Sequence, residues 1–221
     1  MASKVKQREC CGFSVAPEAL ALSRTRQESK ENHMDKLDIR ATVLIVPGLR
    51  EHVAEHWQTH LAASLVRVRS VPPLTQDKLN CRARVEAIAQ ELAQIDGPVI
   101  LVAHSAGVLM TVHWAQKYQR QIKGALLVTP PDLNASWPAQ YPSQETLQAG
   151  GWCPLPRRRL PFPSMVALSN NDPLASVDAV RAMATDWGSE LVELGDVGHL
   201  NPASGFGPWP LGLDLVRRLD T

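Results

Sequence analysis

Short runs of aliphatic and β-branched residues alternate with amphipathic segments along the chain from Thr42 onward. Strands that are buried on both faces are nearly continuously apolar, so these runs predict a sheet whose strands are mostly parallel. The predicted strands are residues 42–46, 66–70, 99–103, 125–129, 165–169 and 190–194.

The segments between these runs show helical spacing of apolar residues. In residues 82–95, for example, Val85, Ile88, Ala89 and Leu92 fall on one face of a helix. The predicted helices are residues 56–65, 82–95, 106–118, 176–187 and 210–219. Strands that alternate with helices predict a three-layer α/β fold, with a sheet of about six strands and helices on both faces.

The stretch of residues 130–163 does not fit this alternation, because its eight prolines leave no room for a regular element. Long ordered loops in compact domains often form lids or binding loops, so this one is expected to wall a substrate site with Trp137, Tyr141 and Trp152. An equally open alternative is a surface segment that its tryptophans merely anchor.

Residues 1–40 are polar and charged without sustained periodicity, which predicts a disordered extension before a single domain at 41–221. Basic residues precede a short apolar patch here, as they do in a secretory signal. Pro17 and Glu18 break that patch, so the extension is the favoured interpretation.

Composition narrows the class of protein. The 221 residues are 44% hydrophobic, which is enough for one sizeable core. A net charge of +1 argues against nucleic acid as a partner, and no apolar run approaches the length of a membrane span. The four cysteines lack metal-binding spacing, which predicts no metal site and a cytoplasmic protein.

The candidate nucleophile is Ser105. It stands in the pentapeptide Ala103-His104-Ser105-Ala106-Gly107, between an apolar run and a helical pattern. A serine at a sharp turn from strand to helix projects above the sheet, as in the G-x-S-x-G nucleophile elbow. Ala103 replaces the first glycine of that motif and adds only a methyl group.

A serine hydroxyl needs a general base and a group that orients this base. In this kind of fold the acid and then the histidine follow the nucleophile on loops after later strands, which predicts Asp172 and His199. Asp196 is a competing acid, but it lies only three residues before His199. Alternatively, Asp172 caps the helix that begins near Ser176.

The oxyanion formed during attack on a carbonyl requires backbone N–H donors. Ala106 is expected to supply one of them, and Leu49 the other, since it follows the first strand and the Pro47-Gly48 turn. An ordinary Pro-Gly turn is the alternative for that loop.

These residues resemble the small serine hydrolases of the YdeN type, which include the vertebrate retinoblastoma-binding serine hydrolase. The resemblance covers about residues 41–219. It rests on Val46-Pro47-Gly48, Glu55-His56-Trp57-Gln58, the pentapeptide around Ser105, Asn171-Asp172-Pro173, Gly198-His199-Leu200-Asn201 and Gly205-Phe206-Gly207-Pro208-Trp209.

The resemblance implies an α/β-hydrolase without a large cap domain, whose serine, aspartate and histidine occupy the positions derived above. It also suggests that His56 and Trp57 help to build the site, although helix packing and capping explain them equally well. The expected pocket residues are Gly48, Arg50, His56, Trp57, His104 and Trp137. Where family members often carry Gly or Ser after the Pro-Gly turn, this chain has Arg50, Glu51 and His52, which predicts a more charged pocket mouth.

The predicted function is hydrolysis of a small ester through an acyl intermediate on Ser105, with no cofactor. An amide is the less favoured prediction for the substrate. A protein that keeps the fold only to bind a partner is one alternative, and acyl transfer to an acceptor other than water is another. The sequence also leaves a homodimer open.

Overall fold

The computed structural model describes residues 36–221, and its sheet confirms the prediction of parallel strands. Six strands pair in the order β2-β1-β3-β4-β5-β6, and every pairing is parallel. They are β1 (Thr42–Val46), β2 (Val68–Ser70), β3 (Val99–His104), β4 (Gly124–Val128), β5 (Ser164–Leu168) and β6 (Glu190–Glu193).

Helices cover both faces of this sheet. They are α1 (Trp57–Ala63), α2 (Cys81–Leu92), α3 (Ala106–Lys117), α4 (Gln144–Ala149), α5 (Val177–Trp187) and α6 (Pro210–Leu219). Successive side chains of a strand point to opposite faces, so the core is divided in two. Leu44 of β1 packs in the layer of α2, α3 and α5, whereas Val43 packs in the layer of α1 and α6. No cap domain is inserted between residues 36 and 221.

The second strand begins two residues later than its apolar run predicts. Val66 is 52% exposed, and its amide donates to the Leu37 carbonyl in an isolated parallel bridge between Leu37 and Leu65. Pairing with β1 starts only at Val68, opposite Val43.

The start of the domain also differs from the expected boundary at residue 41. Leu37 forms the bridge just described, and Ile39 is buried in the layer of α1 and α6. The Asp220 carboxylate accepts hydrogen bonds from the amides of Arg40 and Ala41, which ties the segment before β1 to the end of α6. The remainder of the predicted extension, residues 1–35, lies outside the described residues.

The proline-rich stretch 130–163 contains one regular element that the proline count argued against. The six-residue helix α4 fits between Pro142 and Pro154, and the Ser143 side chain caps it by accepting from the Thr146 amide. Its Leu147 is buried in the core.

Along residues 36–221, none of the helices has both the length and the hydropathy to span a bilayer.

Candidate active site

Ser105 lies at the point where β3 turns directly into α3. Its backbone has φ 58° and ψ −128°, a strained conformation for a residue with a side chain. A Cβ atom at Gly107 would overlap the Val46 carbonyl oxygen, so only glycine lets the start of α3 approach β1 this closely. The strain and the close approach together hold the Ser105 hydroxyl above the end of the sheet.

The structure brings Ser105, His199 and Asp172 into one hydrogen-bonded chain. Ser105 Oγ lies 2.8 Å from His199 Nε2, and His199 Nδ1 lies 2.8 Å from Asp172 Oδ2 and 3.0 Å from Oδ1. An ionised carboxylate only accepts, so Nδ1 carries the proton and Nε2 is free to accept from the serine hydroxyl. The Asp172 and His199 side chains are only 1% and 3% exposed.

In the structure, His199 pairs with Asp172 and not with the competing Asp196. Ser176, not Asp172, caps α5 by accepting from the Ala179 amide. Asp196 is exposed, while His199 pairs with Asp172. Asp172 Oδ1 also accepts from the Leu174 amide at 2.9 Å, which fixes the carboxylate.

Polar side chains hold the two loops that carry this pair. Asn171 Oδ1 accepts from the Gly198 amide at 2.6 Å, and so connects the aspartate loop to the histidine loop. The Ser204 hydroxyl accepts from the His199 amide at 3.1 Å and donates to Asn201 Oδ1. Sequence reasoning did not assign these roles, although Asn171 and Asn201 both lie within blocks of the resemblance.

Two further imidazoles stand beside His199. His104 Nε2 lies 2.9 Å from the His199 carbonyl oxygen and therefore donates to it, and the His56 and His104 ring centroids are 4.6 Å apart. Burial, helped by His199 and His56, lowers the pKa of His104 well below its usual value. Burial, with His199 and His60, lowers the pKa of His56 to about 4. Both rings are therefore neutral at neutral pH.

The amides expected to receive an oxyanion both border the site. Leu49 follows β1, Ala106 follows Ser105, and both residues line the same cavity as the Ser105 side chain. Neither amide donates a hydrogen bond to another group within residues 36–221. A Cβ atom at Gly48 would lie 3.3 Å from Ser105 Cβ, which shows how closely this loop passes the serine.

The cavity above Ser105 has a volume of about 300 Å³. Of the expected pocket residues, Gly48, Arg50, His56, His104 and Trp137 line it.

Trp57 does not line this cavity, contrary to expectation. It is 1% exposed and packs edge-on against Trp209, with ring centroids 4.9 Å apart, and against His104 at 5.9 Å. The reason is that His56 is the N-cap of α1, so Trp57 is the first helical residue and faces the core. Trp57 therefore packs against His104 on the side of the core.

The stretch 130–163 forms one wall of the cavity, as predicted for a substrate-binding loop. Trp137, Tyr141 and Trp152 all line it. The anchoring role holds as well, because the indole of Trp137 donates to the Asp132 carbonyl and that of Trp152 donates to the Leu79 carbonyl.

Comparison with known proteins agrees with this geometry. The family model described as serine hydrolase matches residues 43–218. The chain belongs to the serine hydrolase family. No curated protein matches it.

Among solved structures, this serine hydrolase is similar to a YdeN-like hydrolase from Pectobacterium atrosepticum. The two share 30% sequence identity over 91% of this chain and 96% of that one, with a TM-score of 0.69. The ydeN gene product of B. subtilis is 18% identical over 81% of this chain and 98% of that one, with a TM-score of 0.64. Est1E of Butyrivibrio proteoclasticus is 12% identical over 86% and 90%, with a TM-score of 0.57.

These comparisons confirm the resemblance stated from the sequence and the α/β-hydrolase fold. The two structures below 25% identity support the fold of this serine hydrolase only. The homodimer and the cytoplasmic location stay predictions.

Proposed function

We propose that this serine hydrolase cleaves small carboxylic esters through an acyl intermediate on Ser105. The observation that carries the proposal is the chain of hydrogen bonds from Asp172 through His199 to Ser105, which ends in an open cavity. The hydroxyl, the base and the orienting carboxylate are the three groups that nucleophilic acyl transfer requires.

In the first half of the reaction, Ser105 Oγ attacks the ester carbonyl carbon while its proton moves to His199 Nε2. The carbonyl oxygen becomes an oxyanion, which the Leu49 and Ala106 amides stabilise. When the tetrahedral intermediate collapses, the bond to the alcohol oxygen breaks and His199 gives its proton to the leaving alcohol. The acyl group remains on Ser105.

In the second half, water attacks the acyl carbon and loses a proton to His199. Collapse releases the carboxylic acid and returns the proton to Ser105. Asp172 keeps the proton on His199 Nδ1 throughout and stabilises the imidazolium that forms in each half.

Substrate size is argued from the cavity. Ligand pockets generally measure about 300 to 1,000 Å³, and a volume of about 300 Å³ lies at the lower end of that range. Leu109, Leu147 and Trp152 contribute apolar surface to it. Short acyl chains are therefore the expected substrates.

Labelling with a fluorophosphonate probe tests the mechanism, because this electrophile reacts with activated serines. We expect the intact protein to be labelled and Ser105→Ala to be unlabelled. A series of 4-nitrophenyl esters from acetate to palmitate tests the size preference, with kcat/KM expected to peak at short chains. Labelling that survives Ser105→Ala would contradict the assignment of the nucleophile, and a peak at long chains would contradict the substrate size.

A further inference from the structure

Arg50 stands in an unusual electrostatic position at the active-site cavity. It is an exposed residue that lines the cavity together with Ser105, and its guanidinium carbon lies 5.9 Å from the centre of the Tyr141 ring. Arg50 takes part in none of the ion pairs formed among residues 36–221. A cation above an aromatic ring at a cavity mouth is held in place without being neutralised.

The neighbouring acid does not balance this charge. Glu51 Oε2 lies 3.1 Å from Lys78 Nζ, and its Oε1 lies 3.4 Å from Arg84 Nη2 and accepts from the Leu74 amide at 3.0 Å. Glu51 therefore faces two cations of its own, and its side chain is only 13% exposed.

The other residues of the cavity wall do not balance the charge either. Arg50 and Glu51 are the only lining residues with a formal charge in the described part of the chain, apart from the histidines. Asp172 does not line the cavity, and its buried carboxylate is hydrogen-bonded to His199. The wall is largely apolar with a few polar side chains, and Arg50 is its one Arg or Lys, without an ion-pair partner among residues 36–221.

The position of Arg50 along the chain brings it within reach of a bound substrate. Gly48 passes directly beside Ser105, and two residues of chain span at most about 7 Å. On the other side, Tyr141 beneath the guanidinium has its ring centre 6.4 Å from that of His199. Arg50 therefore belongs to the loop that carries the Leu49 amide, and Tyr141 is a neighbour of both Arg50 and His199.

We propose that Arg50 is a specificity residue that binds a carboxylate carried by the substrate, so that the preferred substrates are esters with a free carboxylate near the scissile bond. This inference rests on the proposed esterase function and names its substrate class. A guanidinium forms paired, charge-assisted hydrogen bonds with a carboxylate, which a neutral group cannot replace.

Two matched pairs of substrates test the proposal. The first pair is 4-nitrophenyl hydrogen glutarate and its neutral methyl ester, which differ in a charge on the acyl side. The second pair is 4-acetoxybenzoate and methyl 4-acetoxybenzoate, which differ in a charge on the leaving group. Each pair is measured with the intact protein, Arg50→Gln and Arg50→Lys. Comparing variants on one substrate cancels the intrinsic reactivity of that ester.

In at least one pair, Arg50→Gln is expected to lower kcat/KM for the anionic ester about 10- to 100-fold, in line with the loss of a charge-assisted hydrogen bond. For the neutral partner, the change is expected to stay within about 3-fold, since no such bond is lost. Arg50→Lys should retain part of the preference. The pair that shows the effect tells on which side of the scissile bond the carboxylate lies.

The matched control is Arg158→Gln. Arg158 is also exposed and does not line the cavity, so this variant removes the same unit of charge away from the site. If Arg158→Gln lowers anionic turnover as much as Arg50→Gln does, the effect is long-range and the proposal is wrong. Equal losses on anionic and neutral esters in Arg50→Gln would also overturn it.

Failure of the Arg50 proposal and failure of the proposed esterase function give different results. If neutral esters are hydrolysed and Ser105 reacts with fluorophosphonate but Arg50 makes no distinction, the substrate class alone is wrong. If neither ester turnover nor labelling occurs, the esterase function is wrong and the role of Arg50 falls with it.

Discussion

The His104 imidazole donates a hydrogen bond of 2.9 Å to the backbone carbonyl of His199. These residues are 95 positions apart in the sequence. His104 ends β3 immediately before Ser105, so one short segment carries both the nucleophile and the group that holds the base. The hydrogen bond fixes the backbone of the His199 loop relative to the strand that presents Ser105.

Removing this hydrogen bond is expected to displace His199. In His104→Leu the buried carbonyl loses its donor, which costs about 1 to 3 kcal/mol in the free energy of unfolding. A displaced base lowers kcat by about 10- to 100-fold, because misplacing a reacting group by about 1 Å can cost this much. Steady-state kinetics and urea unfolding measure the two effects.

The conservative variant separates positioning from general packing. The Gln side chain carries an N–H donor close to the position of His104 Nε2, so His104→Gln should restore a substantial part of kcat. If His104→Gln is as impaired as His104→Leu, the carbonyl hydrogen bond does not position the base.

The sequence predicts the sheet and the order of the site residues because both leave local signals. Buried parallel strands are apolar runs, and Ser105 and Asp172 each follow such a run, whereas His199 follows the short edge strand β6. The role of His104 leaves no local signal, since its partner comes from a distant loop. The inward orientation of Trp57 depends on which residue caps α1, and a shift of one residue rotates a helix by about 100°.

The short helix α4 shows another limit of sequence patterns. Six residues between prolines are too few to show helical periodicity, and the segment is held by burial of Leu147 and by the Ser143 cap. Such tertiary support overrides a composition that disfavours helix.

The identity of the acid can be tested with a pair of substitutions. Asp172→Asn keeps the shape of the side chain, but its amide N–H favours the tautomer of His199 with the proton on Nε2, which cannot accept from Ser105. We expect kcat to fall by about 10³- to 10⁴-fold, as in other triads of this kind. The Ser105→Ala protein, assayed in parallel, sets the background rate.

Asp196→Asn is the matched control for this substitution. Asp196 lies on the same loop as His199 but is exposed, so its substitution should leave kcat/KM within about 2-fold, as is usual for surface positions. If Asp196→Asn abolished activity and Asp172→Asn did not, the assignment of the acid would be reversed.

The tight packing beneath Ser105 predicts a strong effect of a single methyl group. A Cβ atom in Gly107→Ala would overlap the Val46 carbonyl oxygen, which is backbone and can move only with β1. Overpacking of this kind costs about 1 to 3 kcal/mol or more, and any relief that shifts α3 also shifts Ser105. Urea unfolding should show the lower stability of Gly107→Ala, and fluorophosphonate labelling should show the lower reactivity of Ser105.

Gly207→Ala controls for the general effect of replacing glycine in this chain. A Cβ at Gly207 would meet its nearest atom, the Glu55 carbonyl oxygen, at an ordinary 3.5 Å. Stability close to that of the unmodified protein is expected for Gly207→Ala. Equal stability of the two variants would show that α3 does not need to approach β1 so closely.

His56 makes the stability of the protein dependent on pH in the mildly acidic range. Its pKa is lowered to about 4 in the folded state, mainly by burial, whereas an unfolded histidine titrates near 6.5. Between these values the unfolded state binds more protons than the folded state, so the free energy of unfolding falls as the pH falls through 6.5 toward 4. The titration of His56 alone lowers the free energy of unfolding by roughly 2 kcal/mol between pH 7.5 and pH 5.

His56→Asn isolates this contribution. His56 Nδ1 caps α1 by accepting from the Gln58 amide at 3.2 Å, and asparagine is a good N-cap that does not titrate. Urea unfolding at both pH values should show that the variant's free energy of unfolding is closer to that of the unmodified protein at pH 5 than at pH 7.5, or is even higher at pH 5. The other histidines remain in both proteins, so the difference reports His56 together with its electrostatic effect on His104. If the two proteins differ in free energy of unfolding by the same amount at both pH values, His56 is not kept neutral by its burial beside His104 and His199.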